Sequence, residues 1–202
     1  MGIVDRELWA RTRERMFRRM VEDLDIGYLD PDIYHVLQAL FRRANSFPVS
    51  SCSGRITVVD SKLPWHRKGS TVLFKKHSPV TEGELLPIVT ESVPVARLWL
   101  VVTGPIFHIS SADLKEALVL LRIARAAGMK HSGVLSLSRR GVYVELKTGV
   151  RLTVLLKSRG YVVENMREVV EAANEALLEG KNRLERFYRL LVESEKLGTG
   201  AT

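Results

Sequence analysis

The 202-residue sequence lacks several features that mark large classes of proteins. Its one cysteine, Cys52, excludes an internal disulfide and any zinc site built from several cysteines, and we expect no metal. No run of about 18 apolar residues occurs, so we expect no transmembrane helix and no membrane partner. The N-terminal residues are charged and lack the apolar centre of a secretory signal. These absences predict a cytoplasmic protein.

Catalytic loops with recognisable glycine spacing are also missing. The sequence has no glycine-rich dinucleotide or phosphate-binding fingerprint, so a nucleotide-like cofactor must bind through another kind of loop. It has no serine bracketed by glycines as in the nucleophile elbow of α/β hydrolases. With few histidines and no helical pair of them, it has no zinc-protease motif either.

The charge balance is strongly basic, with 31 lysines and arginines against 23 aspartates and glutamates and a net charge of +8. Such a balance favours binding to nucleic acid. Residues 61–70 combine cations with a tryptophan, a mixture that suits unpaired RNA bases and phosphates. A solvated loop with its tryptophan packed on the core explains the same residues equally well. The candidate RNA-binding residues are Trp65, Lys68, Lys75, Lys76, Arg139 and Arg140.

The most informative segment spans residues 50–55 and has the sequence SSCSGR. Gly54 lets the backbone approach a ligand closely, and Arg55 offers a planar fork of donors for a carboxylate or phosphate. Backbone N–H groups in such a loop can bind an anion. The alternative is an ordinary polar turn between a helix and a strand. Either way, the pattern predicts a loop that directly follows a helix.

Apolar periodicity predicts an α+β fold. We expect helices over residues 4–24, from an N-cap at Asp30 to about residue 46, after a cap at Ser110 or Ser111, and from 164 to 196 with a weak break at Gly180. The prolines within residues 78–95 indicate irregular structure. Strands are predicted at 56–59, 71–74, 97–102, continued at 106–109, 134–137, 142–146 and 152–156.

This order of elements is not a clean alternation of strand and helix. It predicts a mixed layered sheet with flanking helices and not a Rossmann fold. We expect a single domain made of N-terminal helices (1–46), a mixed α/β core (47–160) and a C-terminal helical segment (161–197). Within the core, His77 and His108 each lie at or near a strand end. They are the candidate general bases, although a packed structural histidine is the commoner case.

With these segments in view, the chain resembles the wybutosine-synthesising protein 3 family of tRNA methyltransferases from about Asp25 to Tyr188. The SSCSGR segment followed by Ile56 is the most specific match. Further matches follow in the family's order: a Lys68-Gly69 loop leading through a strand to His77, the sequence GPIFHI at 104–109 before a helix, GMKHSGV at 128–134, and Asn174 and Asn182 in a C-terminal helix. Thr71-Val72 departs from the family's usual Trp-Leu.

The resemblance implies methyl transfer from S-adenosylmethionine to N-4 of a tricyclic guanosine derivative, 7-aminocarboxypropyl-demethylwyosine, at position 37 of tRNA(Phe). The partner is then the anticodon stem-loop of that tRNA, and no DNA is expected. On this hypothesis His77 or His108 removes the proton, with His77 slightly preferred. The implied cofactor-binding residues are Ser50, Ser51, Ser53, Gly54, Arg55, Ser132 and Gly133.

Other functions remain open at this stage. The serine-rich segment suits a tRNA phosphate as well as the methionine carboxylate of the cofactor. A noncatalytic tRNA-binding module would show affinity that falls steeply with salt and no dependence on S-adenosylmethionine. A third alternative is a serine hydrolase that uses one of the clustered hydroxyls at residues 50, 51 and 53.

Overall fold

The computed structural model describes residues 3–198 and shows an α+β architecture. A short 3₁₀ turn, Pro31–Ile33, precedes the second helix. No helix among the described residues is long and apolar enough to cross a membrane. The elements in chain order are α1 Arg6–Asp25, α2 Tyr34–Arg42, β1 Ser46–Cys52, β2 Arg55–Asp60, β3 Thr71–Lys76, α3 Glu82–Glu91, β4 Leu98–Thr103, β5 Ile106–Ser111, α4 Leu114–Ala126, β6 Gly133–Ser138, β7 Gly141–Lys147, β8 Arg151–Ser158, β9 Tyr161–Val162 and α5 Met166–Gly198.

The strands form two sheets, and each strand pairing within residues 3–198 is antiparallel. This arrangement confirms the predicted α+β class, because a Rossmann fold requires a mostly parallel sheet. The chain divides into two compact units. The first consists of Met1–Ser53, Pro105–Gly149 and Asn182–Thr202, and the second of Gly54–Gly104 and Val150–Lys181.

The first unit contains a four-stranded sheet in the order β1-β5-β7-β6. In its core, alternate residues of the sheet pack against the apolar faces of α1, α2, α4 and the end of α5. Phe47, Phe107 and Phe187 are fully buried there. Burying one such side chain stabilises the fold by about 1.5–3 kcal/mol. This unit therefore has its own hydrophobic core beneath a rigid sheet.

The second unit contains a five-stranded sheet in the order β3-β2-β4-β8-β9. Apolar residues of this sheet pack with α3 and with the first part of α5. The side-chain amide of Asn174 on α5 accepts a hydrogen bond from the backbone N–H of Val80 and donates one to its carbonyl, both at 2.8 Å. These two bonds fix the segment that enters α3.

The serine-rich segment does not follow a helix, so that prediction is wrong. Helix α2 ends at Arg42, and Ser46–Cys52 forms the edge strand β1, which pairs with β5. Pro48, expected to end a helix, lies inside this strand. An edge strand tolerates a proline because one side of it needs no ladder hydrogen bonds. Only residues 53 and 54 connect β1 to β2.

The proline-containing segment before β4 is not irregular throughout, since Glu82–Glu91 forms α3. Thr81 is its N-cap. The Glu84 carboxylate accepts hydrogen bonds from the backbone N–H and the hydroxyl of Thr81, at 2.8 and 3.2 Å. This reciprocal arrangement satisfies groups that a helix start otherwise leaves unpaired, so the helix forms despite Pro87 within it.

The predicted cap of the helix after residue 111 is also wrong. Ser110 and Ser111 belong to β5, and α4 is capped by Asp113, whose carboxylate accepts from the Glu116 N–H at 2.8 Å. That hydrogen bond, ahead of the contact with Arg6, lowers the pKa of Asp113. Asp30 is the N-cap of the 3₁₀ turn that leads into α2, as predicted, although its side chain makes no cap hydrogen bond.

Two predictions about where elements are continuous are also wrong. Strands β4 and β5, expected to be one interrupted strand, belong to different sheets. Helix α5 runs through the buried Gly180 without a break. A single glycine in a long helix costs only about 1 kcal/mol relative to alanine, and apolar packing on both sides of it offsets that cost.

Candidate active site

A row of four cross-strand neighbours crosses the sheet of the first unit. Ser50 on β1 lies opposite His108 on β5, His108 lies opposite Glu145 on β7, and Glu145 lies opposite Gly133 on β6. Directly opposed residues of antiparallel strands project from the same face of a sheet. The register therefore brings together three predicted site residues and one glutamate that was not predicted.

Hydrogen bonds join the side chains of this row. Ser50 Oγ lies 2.7 Å from His108 Nδ1, and His108 Nε2 lies 3.3 Å from a carboxylate oxygen of Glu145. An ionised carboxylate only accepts hydrogen bonds, so a neutral His108 donates from Nε2. Its Nδ1 then accepts the proton of the Ser50 hydroxyl. The carboxylate thus selects the tautomer that pairs with Ser50.

The row is accessible as well as ordered. The side chains of His108 and Glu145 are 34% and 25% exposed, and Ser50 is exposed. A ligand that donates a hydrogen bond to the Ser50 oxygen would therefore find a proton acceptor, His108, directly behind it. Such an arrangement can take up a proton from a reacting group.

Sequence reasoning missed Glu145. The signal was present in β7, where Val142, Val144 and Leu146 are buried and alternate with Tyr143 and Glu145. A carboxylate on the second face of such a strand lies beside its neighbours in the sheet. Identifying His108 as that neighbour required the strand order, which alternation does not give.

A cleft borders the row within the first unit and encloses about 240 Å³. Ser50 and Ser51 lie along it, and Met20, Leu37 and Phe41 from the helices provide apolar walls. The edge position of β1 brings these two residues to the cleft, since within residues 3–198 β1 has a strand partner on one side only. The cleft can therefore hold an apolar ring close to Ser50.

The remaining residues predicted to bind a cofactor have different surroundings. Ser132 is buried, and its hydroxyl donates to the Met129 carbonyl at 2.7 Å and accepts from the Lys147 N–H at 3.0 Å. In the first unit the buried Ser53 donates its N–H to the Asp30 carboxylate at 3.3 Å. These contacts hold the turns in place.

Gly54 and Arg55 begin the second unit. Gly54 has a φ of +88°, a conformation that glycine adopts far more readily than other residues. Arg55 is the exposed first residue of β2 and presents its guanidinium to solvent. His77, the other predicted base, is half-buried just after β3 in the same unit.

Most predicted RNA-binding residues are exposed. In the second unit the Trp65 ring is 63% exposed in the connection between β2 and β3, and Lys68 and Lys75 are exposed near it in sequence. Lys76 instead pairs with Glu84 at 2.6 Å, which lowers the pKa of that carboxyl. Arg139 and Arg140 form the exposed β6–β7 turn of the first unit.

Arg139 has a partner in the N-cap residue of α1. Its guanidinium lies 3.1 Å from the Asp5 carboxylate, and its own side chain is 82% exposed. The pKa of Asp5 is lowered mainly by the hydrogen bond from the Leu8 N–H, and Arg139 adds to the effect. The guanidinium keeps further donors for a phosphate, because it carries five N–H groups.

Comparisons with known proteins extend over nearly the whole chain. The family model described as Methyltransferase TYW3 matches residues 11–193. The tRNA(Phe) 7-((3-amino-3-carboxypropyl)-4-demethylwyosine(37)-N(4))-methyltransferase of Saccharolobus solfataricus is 41% identical over 191 residues, covering 93% of this chain and 91% of that protein. The protein of the same name from Aeropyrum pernix is 33% identical over 178 residues, covering 86% and 94%.

Solved structures resemble the fold as well. The PH1069 protein of Pyrococcus horikoshii superposes with a TM-score of 0.86 at 28% identity, and the match covers 92% of this chain and 97% of that one. A hypothetical protein from Aeropyrum pernix superposes with a TM-score of 0.73 at 32% identity, covering 81% and 98%. The similarity thus includes both compact units.

Proposed function

This chain belongs to the TYW3 methyltransferase family, and we propose on that basis that it methylates N-4 of 7-(3-amino-3-carboxypropyl)-4-demethylwyosine at position 37 of tRNA(Phe). The two relatives described above, which are named for this reaction, match 93% and 86% of the chain. The reaction belongs to the formation of wybutosine derivatives and takes place in the cytoplasm. The observation that carries the chemical part of the proposal is the hydrogen-bonded row of Ser50, His108 and Glu145.

The methyl donor in this proposal is S-adenosylmethionine, which supplies an electrophilic methyl group on a sulfonium. Residues of the SSCSGR segment offer polar groups of the kinds that bind such molecules. Ser51 lines the cleft of the first unit and offers a hydroxyl to polar groups of a ligand. Arg55 offers an exposed guanidinium, which pairs well with a carboxylate. Neither of these contacts depends on a glycine-rich nucleotide-binding loop.

Proton removal is the step that the described side chains can perform. The ring nitrogen that gains a methyl group must lose its proton. We assign that proton to the Ser50 oxygen, with the Ser50 proton passing to His108 Nδ1. The contact with Glu145 stabilises the imidazolium that results. General base catalysis of this kind contributes about 10²–10⁴-fold to a rate.

Holding the methyl donor and the acceptor base together also lowers the barrier to methyl transfer. Alignment of two bound reactants replaces a bimolecular encounter and can supply roughly 7–11 kcal/mol of the barrier. The apolar walls of the cleft position a flat ring system and exclude water from it. No covalent intermediate is needed for methyl transfer to nitrogen, so Cys52 serves as a small packed residue.

The RNA partner in this proposal is the anticodon stem-loop of tRNA(Phe). The net charge of +8 suits a polyanion. Trp65 can stack on an unpaired base, while Lys68 and Lys75 contact phosphates. Arg140 and the free donors of Arg139 offer further phosphate contacts on the first unit.

The alternatives are less well supported. A noncatalytic tRNA-binding module has no need for a histidine backed by a carboxylate, and the family is one of methyltransferases. A serine hydrolase of the α/β class presents its nucleophile at a sharp strand–turn–helix elbow, whereas Ser50 lies within a strand, and the matching relatives are named as methyltransferases.

A direct assay tests the proposal. The protein is incubated with S-adenosylmethionine and tRNA(Phe) that carries the 4-demethylated base. The tRNA is then digested, and the masses of its nucleosides are measured by mass spectrometry. We expect a gain of one methyl group on the tricyclic base, and a gain about 100-fold slower in His108→Ala. No gain with wild-type protein that binds both donor and tRNA would refute the assigned substrate. No donor binding at all would favour the tRNA-binding module.

A further inference from the structure

The cleft beside Ser50 carries polar groups that the proposed mechanism does not use. Arg19 and Asp23 of α1 line it, as does Tyr28 from the segment after that helix. All three belong to the first unit. The volume of about 240 Å³ is smaller than the roughly 300–1,000 Å³ of typical drug-sized sites. Such a cleft suits one end of a larger ligand.

Arg19 and Asp23 place opposite charges side by side. They lie one helical turn apart, and Arg19 Nε is 3.5 Å from an Asp23 carboxylate oxygen. That distance exceeds the roughly 2.7–2.9 Å of a charge-assisted hydrogen bond. The Arg19 side chain is 62% exposed and that of Asp23 is 26% exposed. Both groups therefore keep hydrogen-bonding capacity for a ligand.

A ligand with an ammonium and a carboxylate on the same carbon matches this pair. The guanidinium pairs with a carboxylate through two parallel hydrogen bonds, and the aspartate accepts from the ammonium. We propose that Arg19 and Asp23 bind the α-amino-acid end of a 3-amino-3-carboxypropyl group. This assignment rests on the proposed function, whose substrate carries that group at position 7 of the tricycle. The methionine end of S-adenosylmethionine carries the same group.

Two neighbours of the pair fit the rest of the substrate. The Tyr28 ring is 75% exposed at the cleft, where it can stack on a flat base. Ser50 lines the same cleft and contacts His108. The cleft thus combines a charged pair for the side chain, a ring for stacking and an acceptor for the proton. A rigid tricycle with its reacting nitrogen at position 4 and its side chain at position 7 needs all three.

Removing the charge of Asp23 tests whether this side chain binds the ammonium group. Asp23→Asn keeps the size and the hydrogen-bonding oxygen of the side chain, and the backbone carbonyl still accepts from the N–H groups of Tyr28 and Leu29. Glu22→Gln is the matched control, because it makes the same charge change at an exposed neighbour outside the cleft. Arg19→Gln, on an exposed side chain, is the second variant.

Three dissociation constants are measured for each protein by titration. The ligands are tRNA(Phe) with the complete demethylated base, the same tRNA with 4-demethylwyosine, which lacks the side chain, and S-adenosylmethionine. A hydrogen bond to a charged group contributes about 1.5–3 kcal/mol, so we expect Asp23→Asn and Arg19→Gln to weaken binding about tenfold or more. Glu22→Gln should bind like the wild type.

The pattern of weakening identifies the source of the amino-acid group. Weaker binding of the complete tRNA alone assigns the cleft to the substrate side chain, and weaker binding of S-adenosylmethionine alone assigns it to the donor. Unchanged constants in both variants would overturn the proposal. So would equal weakening for the two tRNAs without any change for the donor, because the pair would then contact the RNA backbone. A protein that shows the expected binding pattern but transfers no methyl group would refute the proposed function and leave this assignment intact.

Discussion

Replacing Glu145 with glutamine tests whether the carboxylate positions His108. The change keeps the size of the side chain and removes its charge. A glutamine amide offers both a donor and an acceptor, so it no longer forces His108 to donate from Nε2. The Ser50 hydroxyl then loses its assured acceptor at Nδ1, and the imidazolium formed during proton transfer loses its counter-charge. We therefore expect slower methyl transfer with unchanged folding.

The geometry sets the size of this effect. A hydrogen bond to a charged group is worth about 1.5–3 kcal/mol. The His108–Glu145 distance of 3.3 Å is long, and both side chains are partly exposed, so solvent screens the interaction. About 1 kcal/mol remains, which corresponds to roughly a fivefold loss of rate. His108→Ala, which removes the proposed base, should slow methyl transfer about 100-fold.

The assay is a single-turnover experiment with donor and enzyme in excess over tRNA, so that product release does not limit the rate. Glu193→Gln, an exposed position on α5 of the same unit, is the charge-matched control. If Glu145→Gln is as fast as the wild type while His108→Ala is slowed, the carboxylate does not position the ring. If Glu145→Gln and His108→Ala both keep the wild-type rate, another group removes the proton, and His77→Ala is the next variant to measure.

Three further changes give independent tests. Asn174→Ala leaves both backbone groups of Val80 without their partner and should lower the free energy of unfolding by about 1–3 kcal/mol in urea titrations. Trp65→Ala should weaken tRNA binding by roughly 5- to 100-fold in a filter assay without changing stability, because stacking contributes about 1–3 kcal/mol per base. Asp113→Asn should reduce the loss of stability in acid. The Glu116 N–H lowers the pKa of Asp113, so its stabilisation is complete above the ordinary aspartate pKa and is lost as pH falls through the lower folded value.

Each of these tests has a matched control on the same chain. Asn182→Ala changes an exposed asparagine of α5, and Tyr161→Ala removes an exposed ring from the second unit. Asp25→Asn removes an exposed carboxylate at the end of α1. If a control variant shows the same change as its test variant, the specific role argued for Asn174, Trp65 or Asp113 is contradicted.

Local patterns were sufficient to predict much of this fold. Strand β7 was predictable because its buried valines and leucine alternate with polar residues, and α4 because Ala117, Leu121 and Ala124 recur at helical spacing. Both patterns report burial on one face, which is a property of the segment itself. The α+β class followed from the order of such segments.

Elements whose existence depends on distant partners were not predictable. The sequence around β1 contains Asn45, Ser46 and Pro48, which are typical of a helix end. The strand forms because β5 supplies hydrogen bonds on one side and the position at the sheet edge makes a proline tolerable. Helix α3 was missed for the opposite reason, since the signal of Thr81 and Glu84 was local and the nearby prolines outweighed it.

The candidate site depends on one irregularity of β1 that no local pattern reveals. Pro48 lies opposite Ile109, but the next residue of β5, His108, lies opposite Ser50, so β1 has one extra residue at Val49. In a regular ladder Val49 would lie opposite His108, and Ser50 would lie opposite Phe107 and point to the other face. The bulge is therefore what places the Ser50 hydroxyl beside the imidazole. Bulges recur next to active sites because they redirect a single side chain in this way. The sequence contains Ser50 and His108, but their contact depends on a register shift that only the assembled sheet defines.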